Sequence, residues 1–232
     1  MPAFQFANDV LDLFYPRICA SCDHGKPVKG QIFCVECLVE LPQTRFHLVR
    51  DNPFEQHFWG RVDIVAGAAM YFFIPGGRTQ TLLHNIKYRR LSHIAEVIGD
   101  QYGSQMAQSD WFSNIDVVIP VPLHWRRIRQ RGFNQSEVFA RGLAKPLDAD
   151  LDVKSLVRHT QTATQTRKSR EERVLNMKDA FSLTAPDNLA YRQILLVDDV
   201  LTTGATLEAC ANVLLEAPGV SISIATIACG RI

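Results

Sequence analysis

The amino-acid sequence predicts an α/β protein whose mostly parallel sheet is flanked by helices and preceded by a small four-cysteine module. Two patterns support this fold class. Runs rich in β-branched residues alternate with helical patterns along residues 62–227, which is typical of a parallel sheet with crossover helices. Two closely spaced cysteine pairs stand before that region, within residues 19–37. We therefore assign residues 1–55 to the module with a leading helix, and residues 56–232 to the α/β domain.

Length and composition limit the possible functions. Of the 232 residues, 47% are hydrophobic and 21% are charged, so the chain has enough apolar surface to form a core. The 25 basic and 24 acidic residues nearly cancel, so any contact with nucleic acid must depend on local basic patches. No apolar run approaches the ~20 residues of a membrane span, and residues 1–14 do not resemble a secretory signal. We expect a cytoplasmic protein with no membrane insertion.

The leading helix and the module come first along the chain. An apolar stripe in residues 4–14 predicts a short amphipathic helix that packs on the core, although contact with a membrane or a partner is an alternative. The module contains four cysteines in the pattern C-x2-C-x11-C-x2-C, namely Cys19, Cys22, Cys34 and Cys37.

The spacing of these cysteines favours a structural Zn2+ site. Each C-x2-C pair can form a tight turn that aims two thiolates at one tetrahedral centre, and four thiolates leave no open position for chemistry. Two disulfides are the alternative, and His24 is a competing ligand. Two further cysteines, Cys210 and Cys229, lie on predicted apolar faces, and we expect them in the core.

Residues 43–60 are mixed and aromatic, and predict a connector that packs on the α/β domain. Strands and helices then alternate. We expect strands at 62–73, 115–121, 194–197 and 220–227, and helices at 79–86, 92–106, 134–143 and 204–215, with Ser92 as an N-cap.

The strongest chemical signal is the sequence ILLVDDVLTTGATL at residues 194–207. An apolar strand is expected to end at Val197 and to deliver two carboxylates, Asp198 and Asp199, beyond the end of the sheet, where ligands of open α/β sheets bind. The carboxylates can accept hydrogen bonds from vicinal sugar hydroxyls or hold a divalent cation. The loop and helix start that follow favour a phosphate. This order predicts a ribose 5-phosphate site, with phosphate-binding residues Thr202, Thr203, Gly204, Ala205 and Thr206.

The segment with the two carboxylates resembles the phosphoribosyl-pyrophosphate (PRPP) signature of type I phosphoribosyltransferases. Residues 119–136, IPVPLHWRRIRQRGFNQS, are similar to the PVPLH…RGFNQ block of the ComF/GntX family. Residues 158–181 resemble its R…T…Q…R…N…AF segment, and Lys87-Tyr88 and the cysteine pairs also match. The resemblance covers most of the chain. One departure is that two arginines follow Tyr88, where family members often have a glycine.

The resemblance implies a type I phosphoribosyltransferase-like fold that binds PRPP with Mg2+. It identifies the basic segment after residue 121 as the pyrophosphate loop. We expect the backbone of Leu123 and His124 to contribute there, together with Arg126 or Arg127, because arginine forks suit phosphate oxygens. A solvated basic surface is the alternative for any single arginine.

Residues 160–173 are polar and lack apolar periodicity, which predicts a mobile loop. The resemblance implies that this loop closes over PRPP and brings Arg167 and Arg170 to the reacting centre. An exposed loop without a catalytic part is the alternative.

Two functions follow from these residues. The first is a phosphoribosyltransferase that moves ribose 5-phosphate to a nitrogen acceptor of unknown identity. The second, implied by the ComF resemblance, is a PRPP-binding accessory factor of DNA uptake that contacts single-stranded DNA or a helicase partner.

Overall fold

The computed structural model describes residues 18–88, 91–159 and 180–230. Its central sheet has five strands in the order β1-β7-β6-β2-β3, and every neighbouring pair is parallel. The predicted α/β class with a mostly parallel sheet is therefore confirmed. The sheet contains β1 (Ala66–Phe72), β2 (Val117–Pro120), β3 (Asp150–Leu151), β6 (Gln193–Leu201) and β7 (Ser221–Cys229).

A separate antiparallel pair and seven helices complete the described part of the chain. The antiparallel pair consists of β4 (Leu156–Arg158) and β5 (Phe181–Leu183). The α-helices in these ranges are α1 (Val35–Glu40), α2 (Pro53–Gln56), α3 (Arg78–Tyr88), α4 (Ser92–Met106), α5 (Trp125–Arg131), α6 (Gln135–Ala144) and α7 (Ala205–Leu214). Two 3-10 turns lie at Phe46–Leu48 and Pro186–Leu189.

The central strands are apolar on both faces because helices cover the sheet on both sides. In β6, the side chains from Ile194 to Val197 are 0% exposed, as expected for a parallel strand buried on both faces. Cys210 on α7 and Cys229 on β7 are also fully buried, so their predicted place in the core is confirmed. This rigid centre holds the carboxyl ends of β2 and β6, where the predicted site lies.

Strand β6 is longer than the sequence predicts. It continues past Val197 to Leu201 because Asp198 and Val200 still pair with residues of β7. The prediction that the strand ends at Val197 was wrong. Asp198 and Asp199 lie within strand β6, near its carboxyl end, rather than beyond it. Their position is therefore fixed by the sheet.

Two helix starts also differ from expectation. Ser92 is the first residue of α4 rather than its N-cap, a position taken by Leu91, which makes no side-chain capping bond. The basic segment after residue 124, expected as a loop, contains the helix α5. It begins with the His124 ring accepting a hydrogen bond from the Arg126 N–H and ends at Gly132, whose φ is 88°.

The connector, residues 43–60, packs on the sheet as predicted. The Asn52 amide donates to the Gly67 carbonyl at 3.0 Å, and the Glu55 carboxylate accepts from the Gly67 N–H at 3.1 Å. Phe54 and Phe58 are both 0% exposed. These contacts join the connector to β1.

The predicted leading helix at residues 4–14 lies outside the described residues. Among the helices that the structure does describe, none is long and apolar enough to cross a membrane.

Candidate functional site

The residues of the strand–loop–helix segment line one cavity of about 220 Å3 at the carboxyl ends of β2 and β6. The cavity brings together both predicted carboxylates, the predicted phosphate loop and Leu123. The residues predicted from the sequence that line the cavity are Asp198, Asp199, Thr202, Thr203, Gly204, Ala205, Thr206 and Leu123.

The two carboxylates have different surroundings. An Asp198 carboxylate oxygen accepts hydrogen bonds from the Ser136 hydroxyl at 2.7 Å and from the Asp199 N–H at 2.8 Å. Burial and the neighbouring charge of Asp199 nevertheless raise the pKa of Asp198 to about 7. Asp199 instead pairs with the Lys87 ammonium group at 2.9 Å. Burial and its acidic neighbour therefore disfavour the ionised form of Asp198, whereas Asp199 has a cationic partner.

The loop between β6 and α7 has the geometry of an anion cradle. Gly204 is the N-cap of α7 and adopts a left-handed conformation with φ of 71°, which glycine reaches without strain. The N–H groups in the first turn of a helix have no partner within the helix, and they carry the positive end of its dipole. Ala205 and Thr206, in that turn, line the cavity. An anion can therefore accept several backbone hydrogen bonds there.

Basic side chains face the acidic pair across the cavity. Arg127 and Arg131 come from α5, and Arg158 comes from β4. Burial and then the charge of Arg127 lower the pKa of Arg158. Within the described lining, four cations (these three and Lys87) stand against two carboxylates, which gives a formal charge of 4 − 2 = +2. This balance suits a polyanionic ligand.

Two residues predicted for the pyrophosphate, His124 through its backbone and Arg126 through its side chain, do not line this cavity, and their predicted role stays a prediction. The His124 ring is used as the cap of α5, and the Arg126 guanidinium lies over the Trp125 ring, 5.4 Å from its centre. Neither residue lines the cavity, whereas Arg127, the other arginine named for this role, does. Arg167 and Arg170 lie outside the described residues, so their role stays a prediction.

Sequence reasoning assigned no role in the site to several lining residues, among them Lys87, Ser136 and Arg158. Ser136 directly follows the RGFNQ block, and Lys87 belongs to a dipeptide noted only as a match, so both had a signal. Arg158 is brought to the cavity by the β4–β5 ladder, in which it pairs with Phe181. That contact crosses more than twenty residues, although Arg158 is also the first residue of the segment 158–181 that resembles the family.

The four cysteine sulfurs of the module form a second candidate site. All four Sγ atoms of Cys19, Cys22, Cys34 and Cys37 lie within 4.8 Å of one another. Tetrahedral Zn2+ with bonds of about 2.3 Å sets its sulfurs about 3.8 Å apart, and the Cys22 and Cys34 sulfurs are separated by 3.9 Å. The four cysteines could therefore hold a zinc ion.

Hydrogen bonds to the sulfurs support thiolate ligands. The Gly25 N–H donates to Cys22 Sγ at 3.3 Å, and the Cys34 N–H donates to Cys19 Sγ at 3.3 Å. Burial raises the pKa of Cys22, but the N–H groups of His24 and Gly25 outweigh it and lower that pKa to about 6. Such donors favour at Cys22 the charged form that a metal requires, whereas burial and the neighbouring cysteines raise the pKa of Cys37 well above its usual range.

Helix α3 spans the distance between the metal site and the cavity. At its start, the Arg78 guanidinium donates to Cys37 Sγ at 2.8 Å and pairs with Glu40 at 2.6 Å. Near its end, the Asn85 amide donates to the Ala20 carbonyl at 2.9 Å. In the last turn of the same helix, the Lys87 ammonium group pairs with the Asp199 carboxylate. The module therefore fixes the helix that carries one cation of the cavity.

Comparisons with known proteins agree with this geometry. The family model "Phosphoribosyl transferase domain" matches residues 130–231. The DNA utilization protein YhgH of Escherichia coli O157:H7 is 30% identical over 211 residues, which cover 89% of this chain and 88% of that protein. Competence protein ComFC of Bacillus subtilis is 34% identical over 220 residues, covering 91% and 86%.

Competence protein F of Haemophilus influenzae is 39% identical over 101 residues, covering 43% of this chain and 44% of that protein. Identity and coverage together, over both the cysteine module and the α/β domain, show that the chain belongs to the ComF family of type I phosphoribosyltransferase-like proteins.

Proposed function

We propose that the chain binds PRPP with Mg2+ and transfers its ribose 5-phosphate to a nitrogen acceptor, with release of pyrophosphate. One observation carries this proposal. A single cavity combines an acidic pair, a glycine loop at a helix N-terminus and a group of cations. These three parts correspond to the ribose hydroxyls, the 5-phosphate and the pyrophosphate of PRPP.

Each part of the ligand has a chemical counterpart. The loop from Thr202 to Thr206 offers backbone N–H groups and hydroxyls to the 5-phosphate. Asp198 and Asp199 accept hydrogen bonds from the two ribose hydroxyls. The backbone at Leu123, with Arg127 and Arg131 in place of Arg126, meets the pyrophosphate.

The acidic pair also fits a divalent cation. Burial and then the charge of Asp199 raise the pKa of Asp198 to about 7, and hydroxyl donors or a cation would stabilise its ionised form. Mg2+ bound to PRPP would supply positive charge to the departing pyrophosphate. Asp198 and Asp199 are the residues that would face this ion.

The transfer itself is a substitution at C1 of the ribose. The bond from C1 to the pyrophosphate oxygen breaks, and its electron pair leaves with the pyrophosphate. The acceptor nitrogen forms the new bond to C1 and loses its proton to solvent. The arginines stabilise the charge that develops on the leaving group, and positioning supplies most of the remaining acceleration. We include Arg167 and Arg170 in this role, on closure of their loop.

Calorimetric titration tests the site. Mg2+–PRPP is titrated into wild type, into Asp198→Asn/Asp199→Asn, and into the control Asp110→Asn/Asp187→Asn, which removes two exposed carboxylates. We expect binding by wild type and control, and loss in the first variant. Equal binding by all three proteins would exclude the acidic pair from the site. A panel of nitrogen acceptors, assayed by pyrophosphate release, then tests transfer.

A second function is favoured by the surface of α5. No residue of this helix is buried, and Trp125 and Ile128 are 51% and 39% exposed among arginines. Exposed aromatic and basic side chains suit single-stranded DNA, and the relatives named for competence and DNA utilization point the same way. In this function the chain is a PRPP-binding accessory factor of DNA uptake, with single-stranded DNA or a helicase as partner.

The two functions give different results with oligonucleotides. A DNA-binding role predicts a steep salt dependence that Arg126→Gln/Arg129→Gln reduces and Asp199→Asn does not. Absence of binding at low salt would exclude single-stranded DNA as the partner.

A further inference from the structure

The outer side of the phosphate loop is anchored by the connector. The Thr203 carbonyl accepts a hydrogen bond from His57 Nε2 at 3.0 Å and from an Arg61 guanidinium nitrogen at 3.4 Å. A carbonyl oxygen can only accept, so the imidazole must carry its proton on Nε2. Neither His57 nor Arg61 lines the cavity itself.

This anchor sets the direction of the next N–H group. The described residues contain no cis peptide bond, so the Thr203 carbonyl and the Gly204 N–H point in opposite directions across one planar peptide. A carbonyl held toward His57, which does not line the cavity, therefore leaves the Gly204 N–H directed away from His57, while Thr203 and Gly204 themselves line the cavity. A free loop could flip this peptide and present an oxygen to the anion instead.

The imidazole also shapes the loop by contact. A Cβ atom on Gly204 would lie 2.6 Å from His57 Nε2 and 2.8 Å from its Cδ2. Only a glycine lets the ring pack this closely against the backbone. The ring and the left-handed glycine therefore fit each other.

His57 is itself held in place. It directly follows α2, whose start is capped by the side-chain oxygen Oδ1 of Asn52, which accepts from the Phe54 N–H at 2.9 Å. Phe58, the next residue, is fully buried. Arg61 is more exposed and lies 3.9 Å from Glu208 on α7, so it is the weaker of the two anchors.

We propose that His57 is a positioning residue of the 5-phosphate subsite, which holds the Thr203–Gly204 peptide with its N–H toward the phosphate. The inference rests on the proposed function for the identity of that phosphate. It extends the site beyond the α/β segment to the connector, and it predicts that a residue outside the cavity affects one part of the ligand only.

The first measurement uses ligand-free protein, so it does not depend on the proposed function. Hydrogen exchange of the peptide that covers residues 202–206 is compared in wild type, His57→Ala, His57→Gln and the control His93→Ala, an exposed histidine on α4. We expect faster exchange in His57→Ala alone, because glutamine still offers an N–H donor at a similar reach. Unchanged exchange in His57→Ala would overturn the positioning role.

The second measurement separates the two halves of the ligand. Ribose 5-phosphate and inorganic pyrophosphate are titrated separately, with Mg2+, into the same four proteins. Loss of one neutral hydrogen bond predicts about five- to tenfold weaker binding of ribose 5-phosphate by His57→Ala, with His57→Gln within about twofold of wild type. Binding of pyrophosphate is expected to stay the same.

The possible failures are distinct. Equal weakening of both ligands would mean general damage to the fold and would overturn the inference. If His57→Ala exchanges faster but wild type binds no ribose 5-phosphate, the loop is positioned as proposed and the proposed function is wrong.

Discussion

Replacing Asp198 with asparagine is expected to stabilise the ligand-free protein at neutral pH while removing ligand binding. Asparagine keeps an oxygen that accepts from the Ser136 hydroxyl and the Asp199 N–H. It removes a charge that burial and Asp199 disfavour, as the raised pKa of Asp198 records. The ionised Asp198 carboxylate therefore destabilises the ligand-free protein, and ligand binding would relieve this destabilisation.

The size and pH range of the effect follow from that pKa. The rise in the pKa of Asp198 from its ordinary value of 3.8 to about 7 sets the pH range over which stability changes. The folded protein binds the extra proton between about pH 4 and pH 7, so wild type loses stability as the pH rises through this range. The full change corresponds to about 4 kcal/mol. Because the side chain is partly accessible, we expect about 2–4 kcal/mol at pH 8 and almost none at pH 4.

Urea denaturation followed by circular dichroism at pH 4, 6 and 8 measures this difference. Asp152→Asn is a control of opposite sign. Burial raises the pKa of Asp152, but hydrogen bonds from Ser155 and the Lys154 N–H outweigh it and lower that pKa. Asp152→Asn should therefore destabilise the protein at neutral pH, and the effect should fade in acid. A destabilising effect of Asp198→Asn that does not change with pH would refute the reasoning.

Three further perturbations test other contacts. Lys87→Met leaves the buried Asp199 carboxylate without its partner and should lower the free energy of unfolding by about 2 kcal/mol. Most of this loss should be recovered in the double variant Lys87→Met/Asp199→Asn. An unchanged free energy of unfolding in Lys87→Met would contradict this. Gly204→Ala should cost about 1–2 kcal/mol from the left-handed φ and the approach to His57, and less in a His57→Ala background, as urea denaturation would show. Chelation of zinc should lower the melting temperature and speed hydrogen exchange in α3; no change in either would mean that the four thiols hold no structural metal.

The parts that sequence reasoning predicted are those whose pattern is local. The strand, the acidic pair and the glycine loop are consecutive in residues 194–207, so their order alone indicates which groups meet. The four cysteines are likewise within nineteen residues, and their spacing implies one centre. In both cases the residues lie close together in space largely because they are close together along the chain.

The parts that were missed depend on long-range contacts. Lys87 reaches Asp199 only because α3 is held at its other end by the module, and His57 meets Thr203 from 146 residues away. Neither contact leaves a periodicity or a spacing to read. Strand β6 was predicted too short because the carboxylates look like a strand exit, whereas pairing with β7 keeps them in the sheet.

Helix α5 was missed for a different reason. Its seven residues bury no side chain, so it has no apolar stripe, and its stability depends on the His124 cap and the glycine at its end. The basic composition suggested a loop. The helix turns Arg127 and Arg131 toward the cavity and leaves Arg126 over Trp125, a division that composition alone does not reveal.

The central claim is that PRPP occupies the cavity at the ends of β2 and β6. Hydrogen exchange with and without Mg2+–PRPP tests it most directly, because the method reports where the ligand binds. We expect strong protection of residues 198–207 and of residues 121–131, with little change in the strands β1 and β3. Unchanged exchange in both segments at saturating PRPP, or protection confined to other parts of the chain, would contradict the account.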